Sequence, residues 1–315
     1  MRTTSIPLLT DKPVPVIGTG AMPLSNPGRD GRLMDRDDAV ALLHHAFDLG
    51  LTLVDTADIY APDGDHVGHN ESIVGEAVRT WPGGRDAIVV VTKIGIVRTA
   101  SPDGDTWGRD GSREYLLRAA EHSVEMLGFV PDVILNHRAA RSTTPYAETV
   151  RAMLAVQDAG LATRIGIGNV DLAEAELAWE IAEGQLAGVE NERSPRFRGD
   201  SDLFAWCLEK GVAFFPWSPF GGGREAAELP VRYPEFAAVA AEVSASSGSP
   251  TTAHEVTLAW LAAQGPSVVP IPGFTRRETV ESAARAAHVE LTAGQIARLD
   301  ATPADYTSTV PDEGR

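Results

Sequence analysis

The sequence predicts a single α/β domain over residues 1–315, folded as a (β/α)8 TIM barrel. Short apolar runs suited to buried parallel strands alternate with amphipathic helical patterns along the chain. Several of these runs end in a polar or reactive residue, which is the pattern that barrel strands show at their C-terminal face. A length of 315 residues fits one such barrel, and no low-complexity block or long linker divides the chain.

The strand predictions follow the apolar runs in order, over residues 14–20, 51–55, 87–93, 132–137, 163–168, 185–190, 212–217 and 267–271. The helical patterns lie between and after them, over residues 37–49, 71–79, 112–127, 145–159, 172–182, 201–210, 251–263 and 278–287. Gly50 stands where a glycine commonly ends a helix, directly before the second strand. We expect the segment before residue 14 to cover the bottom of the barrel.

The composition limits the classes of partner that the protein is expected to bind. A formal net charge of -17 and a pI near 4.8 argue against nucleic acid or an anionic membrane, because phosphate groups would be repelled. The charge could favour a cationic substrate, but a solvated acidic surface is the preferred interpretation. The single cysteine, Cys207, excludes an internal disulfide and suits a reducing compartment. Together with an N-terminus that lacks a sustained apolar run, this predicts a cytoplasmic protein.

Reactive residues follow the predicted strands. Asp55 closes the second strand, and Tyr60 comes five residues later in a loop. Lys93 closes the third, where a buried ammonium needs a partner that Asp55 would supply. His137 closes the fourth. Each residue alone has a structural explanation, but their shared position on one face of the barrel favours a site.

The ordered motifs resemble those of the aldo-keto reductase superfamily over essentially the whole chain. They read DTADIY at 55–60, NESIVGEAV at 70–78, VTK at 91–93, HR at 137–138, GIGN at 166–169, WSPFGGG at 217–223 and PIPGFTRR at 270–277. The resemblance implies a barrel that reduces an aldehyde, ketone or sugar-like carbonyl with NADPH. It also implies a catalytic tetrad, which falls on Asp55, Tyr60, Lys93 and His137.

The chemistry of reduction explains those residue types. Tyr60 would donate the proton to the carbonyl oxygen, and Lys93 would lower the tyrosine pKa from its ordinary value of about 10. Asp55 would hold the ammonium of Lys93 in place, and His137 would hydrogen-bond the substrate carbonyl. Alcohol oxidation would use Tyr60 as the base.

The resemblance also places the cofactor. Asn169 matches the residue that holds the nicotinamide carboxamide, and Trp217 matches the ring that stacks on the nicotinamide. The loop that follows, with Ser218, Pro219 and Gly221, matches the pyrophosphate contacts. The loop from Gly273 through Arg276 and Arg277 matches the grip on the 2′-phosphate, so we expect NADPH to be preferred over NADH.

Two positions depart from the family pattern. Many members have serine where Gly168 stands and glutamine where Glu190 stands. The second change loses an amide donor to the nicotinamide, although a carboxylate can still accept from the carboxamide NH₂, so Glu190 remains a predicted cofactor contact.

The substrate is the least determined feature. The loops over residues 61–69 and 94–111 and the segment over 224–234 are expected to overhang the pocket. His66 and Trp107 are candidate substrate contacts, with solvated loop residues as the alternative. Two other functions are compared with the reductase. A cofactor-binding regulatory subunit with little turnover is the alternative to the reductase. A metal-dependent hydrolase is disfavoured because neither H-x-H nor H-E-x-x-H spacing occurs, and no metal ligand is predicted.

Overall fold

Seven parallel strands form the centre of the molecule. The computed structural model describes residues 1–27, 31–138, 142–199 and 201–304, without the side chain of residue 224. The strands neighbour one another in chain order. They are Thr19–Gly20, Leu53–Asp55, Val89–Ile94, Val133–Asn136, Arg164–Gly168, Gly188–Glu192 and Ala213–Trp217. This order, with helices between successive strands, confirms the predicted barrel.

The eighth segment closes the barrel without forming a regular strand. Phe214 N donates to Ser267 O at 2.8 Å on one side, and Gly18 N donates to Pro270 O at 2.9 Å on the other. Pro270 and Pro272 have no backbone N–H, so a continuous ladder is impossible here. The predicted strand over 267–271 is therefore reduced to isolated bridges, of which Gly20 to Gly273 is one.

The first predicted strand is also shorter than expected. Only Thr19–Gly20 joins the barrel, while Val14–Pro15 pairs antiparallel with Thr3–Thr4. This N-terminal hairpin places Ile6 and Leu9, each 1% exposed, against the side chains that fill the barrel interior. As expected, the segment closes the bottom of the barrel.

Eleven α-helices lie in the described residues. They are Arg36–Asp48, His69–Thr80, Arg113–Leu127, Tyr146–Asp158, Leu172–Ile181, Ser201–Lys210, Gly223–Arg232, Pro234–Ser247, Ala253–Ala263, Arg277–Ala286 and Ala293–Asp300. The seventh, eighth and eleventh were not predicted. The segment over 224–234 was expected to overhang the pocket, and no helix was predicted there, because the glycines before it and Pro230 within it are loop signals.

Strand periodicity separates two cores. Leu53 faces the barrel interior and Val54 faces the surrounding helices, since side chains alternate along a strand. The third strand alternates in the same way, with Val89 and Val91 inside and Val90 outside. Continuing this alternation carries the strand-end side chains onto the barrel axis at its C-terminal end.

A small antiparallel sheet extends beyond the third strand. It pairs Ile96–Thr99 with Thr106–Arg109. Arg98 fixes this hairpin to the preceding loop, because its guanidinium donates to Ala61 O at 2.6 Å and Pro62 O at 3.0 Å and meets Asp105 Oδ2 at 2.6 Å. The hairpin is thereby held beside the loop that carries Tyr60.

None of the helices in the described ranges combines the length and the apolar character needed to cross a membrane. Within the same ranges, no three His, Cys, Asp or Glu side chains group in a way that could hold a metal ion. Cys207 is buried, and burial raises the pKa of its thiol to about 12.

Candidate active site

Lys93 is the centre of an ionic network at the C-terminal end of the barrel. Its ammonium donates to both oxygens of Asp55 at 2.7 Å, to Thr56 O at 2.9 Å and to Tyr60 OH at 3.2 Å. It also lies 3.3 Å from Glu190 Oε1. With only 1% of Lys93 exposed, the side chain has exchanged water for these partners.

The charges in this network act on one another. Burial alone would lower the pKa of Lys93, but Asp55 and Glu190 raise it more, so the ammonium stays charged. For Tyr60 the balance runs the other way. Burial raises its pKa, and the lowering by Lys93 is opposed further by Asp55 and Glu190. Lys93 lowers the pKa of Tyr60 as predicted, but burial outweighs it, so the net pKa lies above the ordinary value and Tyr60 is a neutral phenol.

Glu190 is the unexpected member of the network. It is 4% exposed and close to both Lys93 and Asp55. Burial raises its pKa well above the ordinary value, and the charge of Asp55 raises it further. Two neighbouring carboxyl groups facing one ammonium favour a shared proton, and burial raises the pKa of both Asp55 and Glu190. Sequence reasoning assigned this residue to the cofactor and missed its contact with Lys93.

His137 faces Tyr60 across the site. The two rings meet edge to face with their centroids 5.8 Å apart. Burial lowers the pKa of His137 well below its usual value, and the positive charges of Lys93 and Arg138 lower it further. The imidazole is thus neutral and retains one N–H to donate.

The loop that carries Tyr60 is braced from below by Asn70, which is fully buried. The Asn70 amide donates to Ala21 O at 2.9 Å and to Ser25 Oγ at 2.8 Å, and it accepts from Thr56 Oγ1 at 2.6 Å. Asn70 N also donates to Tyr60 O at 3.1 Å. The start of the helix His69–Thr80 therefore holds the tyrosine loop at two points.

A cavity of about 980 Å³ opens onto this network. Its lining includes Asp55, Tyr60, His137 and Glu190 of the network, together with the predicted cofactor residues Asn169, Trp217, Ser218, Pro219 and Gly273. Lys93 lies behind this lining, in contact with three of its members. A cavity of this volume is at the upper end of the range for small-molecule and cofactor sites.

The cofactor side of the cavity has the conformation of a ligand cradle. Asn169 and Ser218 both adopt left-handed φ angles, 56° and 49°. Asn169 Nδ2 donates to His137 O at 3.0 Å, which leaves its carbonyl oxygen for a ligand. Trp217 Nε1 and Glu190 Oε2 have no hydrogen-bond partner among the described residues. These groups suit a flat aromatic ligand that bears an amide.

A glycine turn follows on the same side. Gly221 N donates to Ser218 O at 2.8 Å, and Gly221 has a φ of 80° that favours glycine. Gly168 is also constrained, because a Cβ there would lie 3.2 Å from His137 O. The sequence departure at Gly168 thus coincides with close packing of two strand ends.

The two arginines of the last barrel loop have different surroundings. Arg276 precedes the helix Arg277–Ala286 and is exposed, and its side chain makes no hydrogen bond or ion pair with the described residues. Arg277 is engaged, with its Nη2 2.9 Å from His45 Nδ1. No side chain caps this helix start, so its first N–H groups remain available to an anion.

Of the two candidate substrate contacts, only one lies at the cavity. Trp107 lines the cavity and is 55% exposed. His66 does not line it, and its Nδ1 lies 2.6 Å from Asp63 Oδ1 instead. The lining also contains residues that the sequence did not single out as site residues, namely Met22, Ile59, Ile96, Arg109, Arg138 and Phe220.

The C-terminal end of this parallel βα barrel gathers a tyrosine, a lysine, an aspartate and a histidine beside one cavity. The family model of the Aldo/keto reductase family matches residues 16–303. The chain belongs to this family, and the predicted resemblance is confirmed.

Individual relatives of the chain are also oxidoreductases by name. The chain is 32% identical over 271 residues to pyridoxine 4-dehydrogenase of Escherichia coli strain K12, covering 84% of this chain and 86% of that one. It is 28% identical over 319 residues to versiconal hemiacetal acetate reductase of Aspergillus parasiticus, covering 89% and 91%. These relatives support an NAD(P)H-dependent oxidoreductase.

A solved structure gives the same fold. An aldo-keto reductase from Klebsiella pneumoniae in complex with NADPH superposes with a TM-score of 0.76 at 26% identity, covering 98% of each chain. A second structure, of an aldo/keto reductase from the same organism with NADP and acetate, gives 0.73 at 27% identity and covers 94% of each chain.

Proposed function

We propose that this protein reduces the carbonyl of an aldehyde, ketone or sugar-like compound to an alcohol with NADPH, and that Tyr60 donates the proton. One observation carries the proposal: Tyr60 OH lies 3.2 Å from the ammonium of Lys93 and shares a cavity with His137. A proton donor, a cation that stabilises its conjugate base and a carbonyl-binding donor thus meet at one place.

Each residue has a distinct task. The neutral imidazole of His137 donates to the carbonyl oxygen and orients the carbonyl. Tyr60 then gives its proton to that oxygen, and the phenolate that remains is stabilised by Lys93. Asp55 keeps Lys93 charged and fixed, which is the role of its two 2.7 Å contacts. Burial excludes water that would otherwise screen these charges.

The cofactor residues fit a dinucleotide. The reduced nicotinamide supplies the hydride when it is bound. Asn169 and Glu190 would hold its carboxamide and Trp217 its ring, since all three line the cavity and two carry polar atoms without partners. Ser218, Pro219 and Gly221 form the turn that would face the pyrophosphate.

The 2′-phosphate would lie at Arg276. Its guanidinium is exposed and has no partner among the described residues, and it stands directly before an uncapped helix start. An arginine and a helix N-terminus both favour a doubly charged phosphate. Arg277 contributes less, because His45 already engages it.

The test is a panel of aldehydes, ketones and aldoses, followed by NADPH absorbance. We expect turnover of at least one carbonyl class, with NADPH used more efficiently than NADH. Binding of NADPH without turnover of any panel member would instead support the regulatory alternative. The relatives act on a pyridine alcohol and on a hemiacetal acetate by their names, so the panel should include both aromatic and aliphatic members.

A further inference from the structure

Two guanidinium groups line the cavity beside the proposed proton donor. Arg138 directly follows His137 at the end of a barrel strand, and Arg109 ends the hairpin strand Thr106–Arg109. They come from separate elements of the fold. Neither belongs to the tetrad nor to the predicted cofactor residues.

The guanidinium of Arg138 has no directly bonded partner among the described residues. It is half-buried and makes no hydrogen bond or ion pair with the residues that the structure describes. Burial lowers its pKa, and the like charge of Arg109 lowers it further, while Tyr60, Glu190 and Glu192 offset only part of this lowering. A partly desolvated cation beside a second cation is unfavourable unless an anion joins them.

The two carboxyl groups that line the cavity lie nearest to Lys93 and form no ion pair with Arg138. Asp55 lies 2.7 Å and Glu190 3.3 Å from Lys93, so both face the ammonium. In a chain with a formal charge of -17, acidic partners are plentiful, and arginines elsewhere find them. Arg98 shows the contrast, since it meets Asp105 at 2.6 Å and three backbone oxygens.

We propose that the substrate carries an anionic oxygen group, a carboxylate or a phosphate, which Arg138 binds while Arg109 adds positive field. The inference rests on the proposed function and deepens it, because it names the class of carbonyl compound that the site accepts. The carbonyl lies between Tyr60 and His137, and the anionic group lies toward the hairpin. A planar guanidinium can meet either group with two parallel hydrogen bonds.

The other lining residues indicate the chemical character of the part of the substrate between its carbonyl and its anionic group. Ile59, Ile96 and Phe220 give an apolar wall, and the ring of Trp107 stands at the mouth. Arg98 lies 4.9 Å from the centre of that ring and holds it in place by a cation–π contact. The lining therefore suits an acid with an apolar spacer and a carbonyl at its far end.

The experiment compares three benzaldehydes whose para substituent is either anionic or neutral. The probes are para-carboxybenzaldehyde, its neutral methyl ester and para-formylphenyl phosphate. Binding to the full chain loaded with NADP+ is measured by calorimetry, and kcat/KM is measured with NADPH. We expect at least one anionic probe to bind about tenfold or more tightly than the ester, as charge-assisted hydrogen bonds allow. The preferred anion identifies carboxylate or phosphate as the natural group.

The variants assign the effect to one residue. Arg138→Met should remove the preference for the anion and leave binding and turnover of the ester within about twofold. Arg138→Lys should keep part of the preference, since charge remains but the paired geometry is lost. Arg118→Met is the matched control, because Arg118 is on the outer helix Arg113–Leu127 and pairs with Glu114. It should change nothing.

The results separate the two proposals. Equal binding of the anionic probes and the ester would overturn the inference, as would a loss in Arg138→Met that is the same for all probes. Reduction of the ester in that case would still uphold the proposed function. Conversely, tighter binding of an anion through Arg138 without reduction of any aldehyde would uphold the anion site and remove the reductase.

Discussion

Each end of the barrel holds a buried ionic cluster, and the two clusters have opposite proportions. At the bottom, one carboxylate, Asp132, meets two cations: Lys12 at 2.7 Å and Arg85 at 2.8 Å. At the top, one cation, Lys93, meets two carboxyl groups. Both clusters tie separate strands together, yet only the upper one adjoins a large cavity.

The bottom cluster is fully satisfied. Asp132 Oδ2 also accepts from Val90 N at 2.8 Å, and Lys12 donates to Ile88 O at 2.8 Å. Each charged side chain of this cluster has a hydrogen-bond partner in the protein. The top cluster instead leaves Glu190 Oε2 without one among the described residues. The difference indicates that the lower cluster stabilises the fold, whereas the upper one keeps polar groups available for ligands.

The strongest test of this contrast removes one oxygen from the upper site. Tyr60→Phe should lower kcat by about 10² to 10⁴-fold, because no other group replaces the proton donor. Affinity for NADPH, measured by fluorescence quenching, should stay within about twofold, since the ring is kept. Tyr146→Phe is the matched control, because its hydroxyl has no partner among the described residues and does not line the cavity. A Tyr60→Phe enzyme with more than half of the normal rate would exclude the proposed role.

Replacing each of the two aspartates by asparagine should affect different properties: activity for Asp55 and stability for Asp132. Asp55→Asn should reduce kcat/KM by about 10 to 100-fold, because Lys93 loses the partner that fixes it. Its free energy of unfolding should change little, since Glu190 can ionise in place of Asp55. Asp132→Asn should lower the free energy of unfolding by about 1–3 kcal/mol, because two cations lose their acceptor.

The rate of Asp132→Asn should meanwhile stay within about twofold of normal. Urea unfolding and steady-state kinetics on both variants make the comparison. If Asp132→Asn lost activity without losing stability, the division between a structural and a functional end would be refuted.

Strand periodicity explains what the sequence could predict of this site. Because side chains alternate, the inward positions Leu53, Val91 and Leu135 are each followed two residues later by Asp55, Lys93 and His137. One-dimensional patterns were therefore enough to place three members of the network on the axis. The fourth, Tyr60, follows the second strand by a short loop.

Other features depend on distances that no pattern contains. The approach of Glu190 to Lys93 joins the sixth and third strands across the barrel, and only closure of the sheet brings them within 3.3 Å. The net pKa of Tyr60 depends on this same contact and on burial, so its direction could not be read from residue types. Arg109 reaches the cavity through a hairpin that the sequence reading treated as an open loop.

The contrast between satisfied and available groups extends to the last barrel loop. Arg276→Ala should weaken NADPH binding by about tenfold, because a charge-assisted contact to the 2′-phosphate is lost, and should leave NADH binding nearly unchanged. Arg277→Ala is the control, since its side chain is already engaged by His45 and should matter less. Dissociation constants for both cofactors supply the measurement. Equal affinity of the unmutated protein for NADPH and NADH would refute this assignment.

The smallest expected effect on rate belongs to Glu190→Gln, and it depends on pH. The raised pKa of Glu190 keeps it neutral at acidic pH, where glutamine is a close substitute and rates should agree within about twofold. As pH rises, the wild-type carboxyl ionises and raises the pKa of Tyr60 further. Alcohol oxidation needs the phenolate, so the variant should oxidise faster than the wild type at alkaline pH.

The pH dependence of the free energy of unfolding is an independent test of the pKa of Glu190. Below the ordinary glutamate value of 4.5, Glu190 is protonated in both folded and unfolded chains and its burial carries no ionisation penalty. Above it, the unfolded chain releases the proton freely and the folded chain does not, so the free energy of unfolding falls as pH rises toward the raised folded pKa. The total loss is about 1.4 kcal/mol for each unit by which the folded and unfolded pKa values differ. Glu190→Gln has no proton to release and should flatten this decline in urea unfolding between pH values of about 5 and 8. Parallel curves for the two proteins would mean that Glu190 is ionised in the fold, and that Lys93 carries two full negative charges at its side.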